Sequence, residues 1–145
     1  MVSPASGGAG TQNGLVFNND SAGIAMGAKG NTTIALNTWY YAVGTFSRTG
    51  TAPFAGNWNV YRNGVLNGGP NNFNLAGPAT GIFTGASWRL ANNPLWPTPG
   101  VQTSNVILDE VRVSNTVRSA GWILTEYNNQ NAPATFYTVG AEQNN

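Results

Sequence analysis

The pattern of hydrophobic and polar positions along the chain predicts a series of short strands. Residues 14–18 and 22–26 are brief apolar runs separated by the turn-forming residues 18–21, which is typical of a β-hairpin. Residues 39–46 are apolar at both parities, and this pattern predicts a central strand that is covered on both faces. The runs are too short and too often interrupted for long helices.

The middle of the chain carries the clearest hairpin signal. Residues 57–62 alternate, with Trp58 and Val60 on one face and polar side chains on the other. Asn63-Gly64 follows directly and predicts a type I′ turn, because that turn needs positive φ at both central residues. Residues 67–80 are rich in Asn, Gly and Pro, so we expect a long loop there.

The second half of the chain predicts three further strands and one helix. Residues 82–90 alternate and predict a half-buried strand, whereas residues 92–100 contain three prolines and cannot form a central strand. Residues 106–113 predict the next strand. A short helix is expected over residues 119–128, where apolar side chains recur at helical spacing after a capping serine. Residues 135–139 predict a last strand.

The length of 145 residues suits one domain with its own core. Residues 1–12 have no periodic pattern and predict a flexible lead-in or linker, which places the domain at residues 13–145. Nineteen glycines and eight prolines break the chain into short pieces. We therefore expect an all-β fold, an antiparallel jelly-roll sandwich with one short C-terminal helix.

Charge and composition narrow the range of partners. Only 8% of the residues are charged, and the six basic residues are scattered singly, so nucleic acid is not expected as a partner. No apolar run approaches the about 20 residues that a membrane-spanning helix needs, and membrane insertion is not expected. The chain has no cysteine, while its Asn, Thr and Gly content is typical of proteins outside the cell. We expect an extracellular or cell-surface location.

The order of these elements resembles the bacterial laminin G-like domains of the concanavalin A-like lectin/glucanase superfamily. The resemblance rests on successive segments and on a C-terminal signature, namely residues 38–46, 58–66, 88–92, 107–115, 118–130 and 136–140. It implies two antiparallel sheets packed face to face. It does not imply one ligand, because this fold hosts lectins, glycosidases, adhesins and spacers.

Two features depart from the family pattern. The N-terminal strand and the Trp-containing strand that usually open such domains have no evident counterpart before Trp39. A trimmed domain and the C-terminal part of a larger one both fit this observation. Ala91 also stands where the family often has glycine.

The acidic residues do not favour catalysis. A glycosidase needs two carboxylates that flank the bond, at either ~5.5 Å or ~6.5–9.5 Å from each other. Asp109 and Glu110 are neighbours on a predicted strand, so their side chains point to opposite faces. The chain also lacks histidine and cysteine, which removes the usual bases and nucleophiles. We expect no enzymatic activity and no catalytic residue.

Asp109 is a weak candidate for a calcium ligand, because carboxylate oxygens suit this hard cation and the superfamily often carries calcium at loop ends. The favoured interpretation is structural. Asp109 would accept backbone donors, while Glu110 and Arg112 share the other face and can pair. No cofactor is expected, and calcium is left open.

Aromatic side chains provide the candidate ligand site. Trp39, Trp58, Trp88 and Trp122 are expected in the core, whereas Trp96 lies in the proline-rich loop, where an exposed indole can stack on a sugar ring. Asn92 and Asn93 beside it offer donors and acceptors for hydroxyl groups. Tyr61, outward beside Asn57 and Asn59, is a second candidate.

Two functions follow from these observations. The first is a non-catalytic carbohydrate-binding or adhesion module, whose partner is a glycan or surface polysaccharide. The alternative is a structural subunit of a surface layer, filament or virus-like assembly. If the opening strands are absent, an uncovered sheet edge would invite self-association or a neighbouring domain.

Overall fold

The computed structural model describes residues 2–4, 13–21, 24–35, 37–49, 54–75, 107–137, 140 and 142. Its elements in chain order are β1 (Val2–Pro4), β2 (Asn13–Ser21), β3 (Ile24–Lys29), β4 (Ala42–Thr49), β5 (Phe54–Arg62), β6 (Val65–Leu75), α1 (Ala120–Asn131) and α2 (Pro133–Phe136). The strand predicted over residues 82–90 and the proline-rich loop over residues 92–100 lie outside the described residues.

The first sheet is antiparallel with the order β1-β2-β3. The predicted N-terminal hairpin is confirmed, but the turn predicted at residues 18–21 is wrong. These residues belong to β2, and the ladder continues until Ser21 pairs with Ile24. The pairing satisfies the backbone of the polar residues, which outweighs their local preference for a turn. The predicted lead-in contains β1, which pairs with Asn13–Leu15, while the boundary at residue 13 stays a prediction.

The second sheet is antiparallel with the order β4-β5-β6. The strand predicted over residues 39–46 is confirmed from Ala42 onward, whereas residues 39–41 do not belong to it. Among the described strands β4 lies beside β5, and its central position stays a prediction. Before that point the backbone of Tyr41 is bound to the next hairpin, with the Asn63 amide donating to the Tyr41 carbonyl at 2.8 Å. The turn predicted at Asn63-Gly64 is confirmed, with φ of 51° and 79° at the two residues.

Strand β6 continues to Leu75, so the loop predicted from residue 67 is wrong as far as residue 75. Two register shifts opposite the segment from Trp58 to Tyr61 accommodate the extra Gly and Pro residues in β6. Gly68 brings β6 against the end of β3, because a Cβ atom at this position would overlap the Lys29 carbonyl oxygen. The Asn31 amide donates to the Asn67 carbonyl at 2.7 Å and joins the two sheets there.

The core lies between the two sheets. Leu15 and Ala28 of the first sheet pack with Trp58 and Val60 of the second, and all four side chains are buried. The rings of Phe46 and Trp58 lie 4.6 Å apart between centroids and contribute an aromatic pair to the same face. The predicted alternation of β5 is confirmed by this burial.

The absence of a side chain at Gly44 lets the two layers approach. A Cβ atom at this position would overlap the ring of Phe17, which lies on the facing sheet. Gly44 pairs with Val60, the fully buried centre of the core. The glycine is therefore required for space rather than for its backbone conformation.

The predicted helix is confirmed and is longer than expected. The Ser119 side chain caps α1 by accepting from the Trp122 amide at 3.2 Å, and Ile123 is fully buried. Leu124 packs close to Gly64 in the hairpin turn, which fixes the helix on the second sheet.

Two C-terminal strand predictions are wrong. Residues 107–113 form no strand in the described part of the chain, because Glu110 has a φ of 53° that interrupts an extended backbone. The predicted strand over residues 135–139 begins inside α2, where Pro133 starts a new helical turn. Residues 138–139 lie outside the described residues. The antiparallel β architecture with a C-terminal helix is otherwise as predicted.

Gly44→Ala is expected to lower the free energy of unfolding by about 1–3 kcal/mol, because the added methyl group forces the Phe17 ring out of its position. Urea unfolding followed by circular dichroism measures the change. Gly121→Ala is the matched control, since a Cβ atom there meets nothing within 4 Å and the residue lies in α1. It should be neutral or stabilising by up to about 1 kcal/mol. An unchanged midpoint for Gly44→Ala would contradict the packing of the two sheets.

Candidate functional site

The predicted site residues fall in different parts of the molecule. Trp96, Asn92 and Asn93 lie outside the described residues, so the structure neither supports nor opposes the loop site. Tyr61 is half-buried on β5 and shares one sheet face with Asn57 and Asn59, as predicted. This grouping is polar and covers the side of β5 opposite the core.

The polar face is partly ordered by side-chain contacts. Thr45 lies opposite Asn59 in the register of β4 and β5 and is buried, while the Asn59 amide nitrogen lies 3.4 Å from its hydroxyl oxygen. Tyr61 pairs with Val43 on one side and with Leu66 on the other. Apart from the buried Thr45, the face combines two amides with one aromatic ring, and such groups can bind sugar hydroxyls and sugar rings.

Asp109 contacts the backbone of its neighbour, and a backbone donor to its carboxylate is as predicted. Its carboxylate accepts from the Glu110 amide at 2.9 Å, and the residue is exposed. The predicted pairing of Glu110 with Arg112 is confirmed at 2.5 Å. No three acidic side chains come together as a metal site within the residues that the structure describes. Calcium binding stays a prediction.

A polar network that the sequence did not predict joins α1 to Tyr41, just before β4, and to Arg112, in the segment that precedes the helix. The Tyr41 hydroxyl donates to Glu126 of α1 at 2.5 Å, and the other carboxylate oxygen of Glu126 pairs with Arg112. Arg112 also binds Glu110, so one guanidinium connects two carboxylates. The partners of Glu126 are 85 and 14 positions away in the sequence, and no local pattern announces such contacts.

The network changes the acidity of Tyr41. Burial raises the pKa of its hydroxyl far above the usual range, and the hydrogen bond to Glu126 and the charge of that carboxylate raise it further. The positive charge of Arg112 lowers the pKa of Tyr41, but this effect is the smallest of the four. The phenol is therefore neutral and acts as a hydrogen-bond donor in this network.

The tryptophans divide between core and surface. Trp58 is buried as predicted, whereas the prediction that Trp39 and Trp122 belong to the core is wrong, with 67% and 42% of their surfaces exposed. Trp39 precedes the first residue of β4, so strand alternation does not turn it inward. Trp122 carries the Arg118 guanidinium 4.6 Å from its ring centroid and faces outward on α1. Trp88 lies outside the described residues.

The loop that carries Trp39 is tied to the hairpin. The Ala35 amide donates to the Tyr40 hydroxyl at 2.9 Å, and Arg62 donates to the Thr33 carbonyl at 3.1 Å. The Arg62 guanidinium also lies 5.4 Å from the centroid of the Tyr40 ring. These contacts join the loop before β4 to Arg62 at the end of β5.

Two antiparallel layers around a shared core, with a C-terminal helix on one sheet, define an all-β domain of the sandwich class. A laminin G-type family model, described as the concanavalin A-like lectin/glucanases superfamily, matches residues 6–124, which is more than half of the chain. The chain therefore belongs to the concanavalin A-like lectin/glucanase superfamily, and the predicted resemblance is confirmed. No curated protein and no solved structure matches the chain.

None of the helices in the described part of the chain has the length and apolar character that crossing a membrane requires.

Tyr41→Phe is expected to lower the free energy of unfolding by about 1 kcal/mol at neutral pH, because Glu126 loses a donor. The raised pKa also predicts a pH effect. Tyr41 loses its proton at about pH 10 in the unfolded chain but keeps it above that pH in the folded protein. The contribution of Tyr41 to stability is therefore complete below about pH 10 and declines as the pH rises further. The variant should lose less stability than the wild type between about pH 9 and pH 11.

Urea unfolding at the two pH values measures this difference. Tyr137→Phe is the control, because Tyr137 is exposed and lies outside the network. An alkaline decline in Tyr41→Phe as steep as that of the wild type would show that Tyr41 does not retain its proton on folding.

Proposed function

We propose that the chain is a non-catalytic, extracellular domain with a jelly-roll connectivity that binds carbohydrate or mediates adhesion. The observation that carries this proposal is membership of the lectin/glucanase superfamily over residues 6–124. Lectins and adhesins of this fold need a binding surface and no reactive group, whereas its glycosidases need two carboxylates that are free to act on a sugar.

The contacts of the carboxylates support binding over catalysis. Glu126 is bound by Tyr41 and Arg112, and Glu110 is bound by the same guanidinium. Asp109 accepts from the backbone of its neighbour. A general acid or a nucleophile must reach the glycosidic bond, whereas the Glu126 carboxylate is bound to Tyr41 and Arg112 and joins distant segments.

The proposed ligand surface combines the polar face of β5 with the loop predicted from the sequence. Tyr61, Asn57 and Asn59 provide one ring and two amides on a common face. Trp96 with Asn92 and Asn93 remains the loop candidate. Sugars present an apolar face and a rim of hydroxyl groups, which match an aromatic ring flanked by amides. A surface polysaccharide or another glycan is the proposed partner, with calcium as an optional cofactor.

A glycan array probed with the purified domain, with and without calcium, is expected to show binding to a restricted set of glycans. Tyr61→Ala and Trp96→Ala should each weaken that binding, because each removes a stacking surface. Val65→Ala is the control, since Val65 is 63% exposed and lies outside both proposed surfaces. Silence across the array in both conditions, with unchanged behaviour of the aromatic variants, would refute carbohydrate binding.

A second candidate function is that of a structural subunit in a surface layer, filament or virus-like assembly. The apolar side chains of the segment before α1 favour it, since Ile107, Val111, Val113 and Val117 are each more than half exposed. Exposed apolar surface of this kind marks sites of association, and a chain with only 8% charged residues has few charges to prevent it.

Light scattering on the purified chain tests the second candidate function, assembly into a larger structure. Assembly predicts a mass above 15.2 kDa, and Val113→Lys should reduce it by placing a charge on the contact surface. Val65→Lys is the matched control, because this exposed valine lies on β6 outside the segment. A monomer at every concentration would exclude assembly through this surface.

A further inference from the structure

Residues 107–113 have the sequence of a strand but are not paired in the described part of the chain. All of them are exposed, and none takes part in a backbone–backbone hydrogen bond among the described residues. A row of open amides and carbonyls is what a sheet edge presents to another strand. The segment is therefore a template for strand pairing.

The side chains of this segment are mostly apolar. Ile107, Val111 and Val113 are 80%, 57% and 73% exposed, and in an extended backbone they lie on one face together with Asp109. Branched side chains of this kind pack well on the surface of a sheet. A partner strand removes part of this apolar surface from water, which favours association.

A local turn at Asp109 and Glu110 keeps the segment from being extended in the single chain. The Asp109 carboxylate accepts from the Glu110 amide at 2.9 Å, and Glu110 has a φ of 53°. A positive φ is unfavourable for glutamate because its Cβ atom crowds the backbone. Bonds from a side chain to the nearby backbone compete with sheet pairing, so a partner strand can replace this turn.

The charged side chains on the other face are self-complementary. Glu110 and Arg112 bind each other in the single chain. When two copies pair antiparallel with Val111 opposite Val111, each Glu110 faces Arg112 of the partner subunit. Registers centred on Glu110 or on Arg112 instead oppose like charges, which is unfavourable. In the register centred on Val111, Val113 lies diagonally across from Val111 of the partner subunit and adds to the apolar contact.

We propose that residues 107–113 pair with the same segment of a second copy, as antiparallel strands about a two-fold axis at Val111. A two-fold interface uses the same patch on both copies, so it closes as a dimer and does not propagate. This inference rests on the proposed assembly and names its partner and its geometry. The dimer is then the unit from which any larger structure is built through other surfaces.

Single cysteines test the register, because the chain has no cysteine of its own. Val111→Cys places two thiols opposite each other, with Cβ atoms about 4.5–5.5 Å apart, so mild oxidation should yield a dimer on a non-reducing gel. Ile107→Cys is the matched control, since Ile107 is more exposed than Val111. It lies four residues from the axis in each copy, which separates its thiols by about 27 Å, and it should remain a monomer on the gel.

Charge reversal tests the same register in solution. Glu110→Arg and Arg112→Glu should each raise the dissociation constant of the dimer about tenfold or more, because each opposes two pairs of like charges. A mixture of the two variants should restore the dimer, since opposite charges then face each other at both positions. Arg118→Glu is the control, because Arg118 is exposed and lies outside the segment. Sedimentation equilibrium measures the constants, and circular dichroism confirms that each variant folds, since Arg112 also binds Glu126.

The outcomes separate this inference from the proposed assembly. Crosslinking of Ile107→Cys as fast as that of Val111→Cys, or dimers of Glu110→Arg as stable as those of the wild type, would overturn the two-fold pairing. If Val113→Lys still reduces the assembled mass in that case, the proposed assembly through this surface stands. A wild-type chain that remains at 15.2 kDa at every concentration would overturn both.

Discussion

Burial of one face of β5 between the two sheets is the interaction on which the rest of the structure depends. Val60 is fully buried and Trp58 nearly so, and the first sheet covers them with Leu15 and Ala28. The layers can meet because Gly44 leaves space for the ring of Phe17. The polar side chains of β5, at Asn57, Asn59 and Tyr61, lie on the opposite face of the strand.

Polar contacts attach the C-terminal part of the chain to this core. The Glu126 carboxylate accepts a hydrogen bond from the Tyr41 hydroxyl and forms an ion pair with Arg112, in the segment before the helix. Ile123 adds a buried apolar side chain. One set of residues thus explains how the helix is held.

Few surface residues are charged, and polar and apolar side chains lie on different parts of the surface. Tyr61 and two amides lie on the face of β5 opposite the core, and exposed apolar side chains line the segment before the helix. The proposed carbohydrate binding uses the first of these surfaces, and the proposed assembly uses the last. These surfaces belong to different elements, so variants can test the two proposals separately.

The sequence alone determined the class of fold, the Asn63-Gly64 turn, the buried face of β5 and the capped helix, because each depends on local periodicity or on a short motif. Tertiary structure decided the rest. Residues 67–75 became a strand because bulges let a Gly-rich segment pair, and Trp39 became exposed because the strand starts after it. Partners distant in the sequence, such as Tyr41 and Glu126, meet only when the helix docks, so no local pattern encodes their contact.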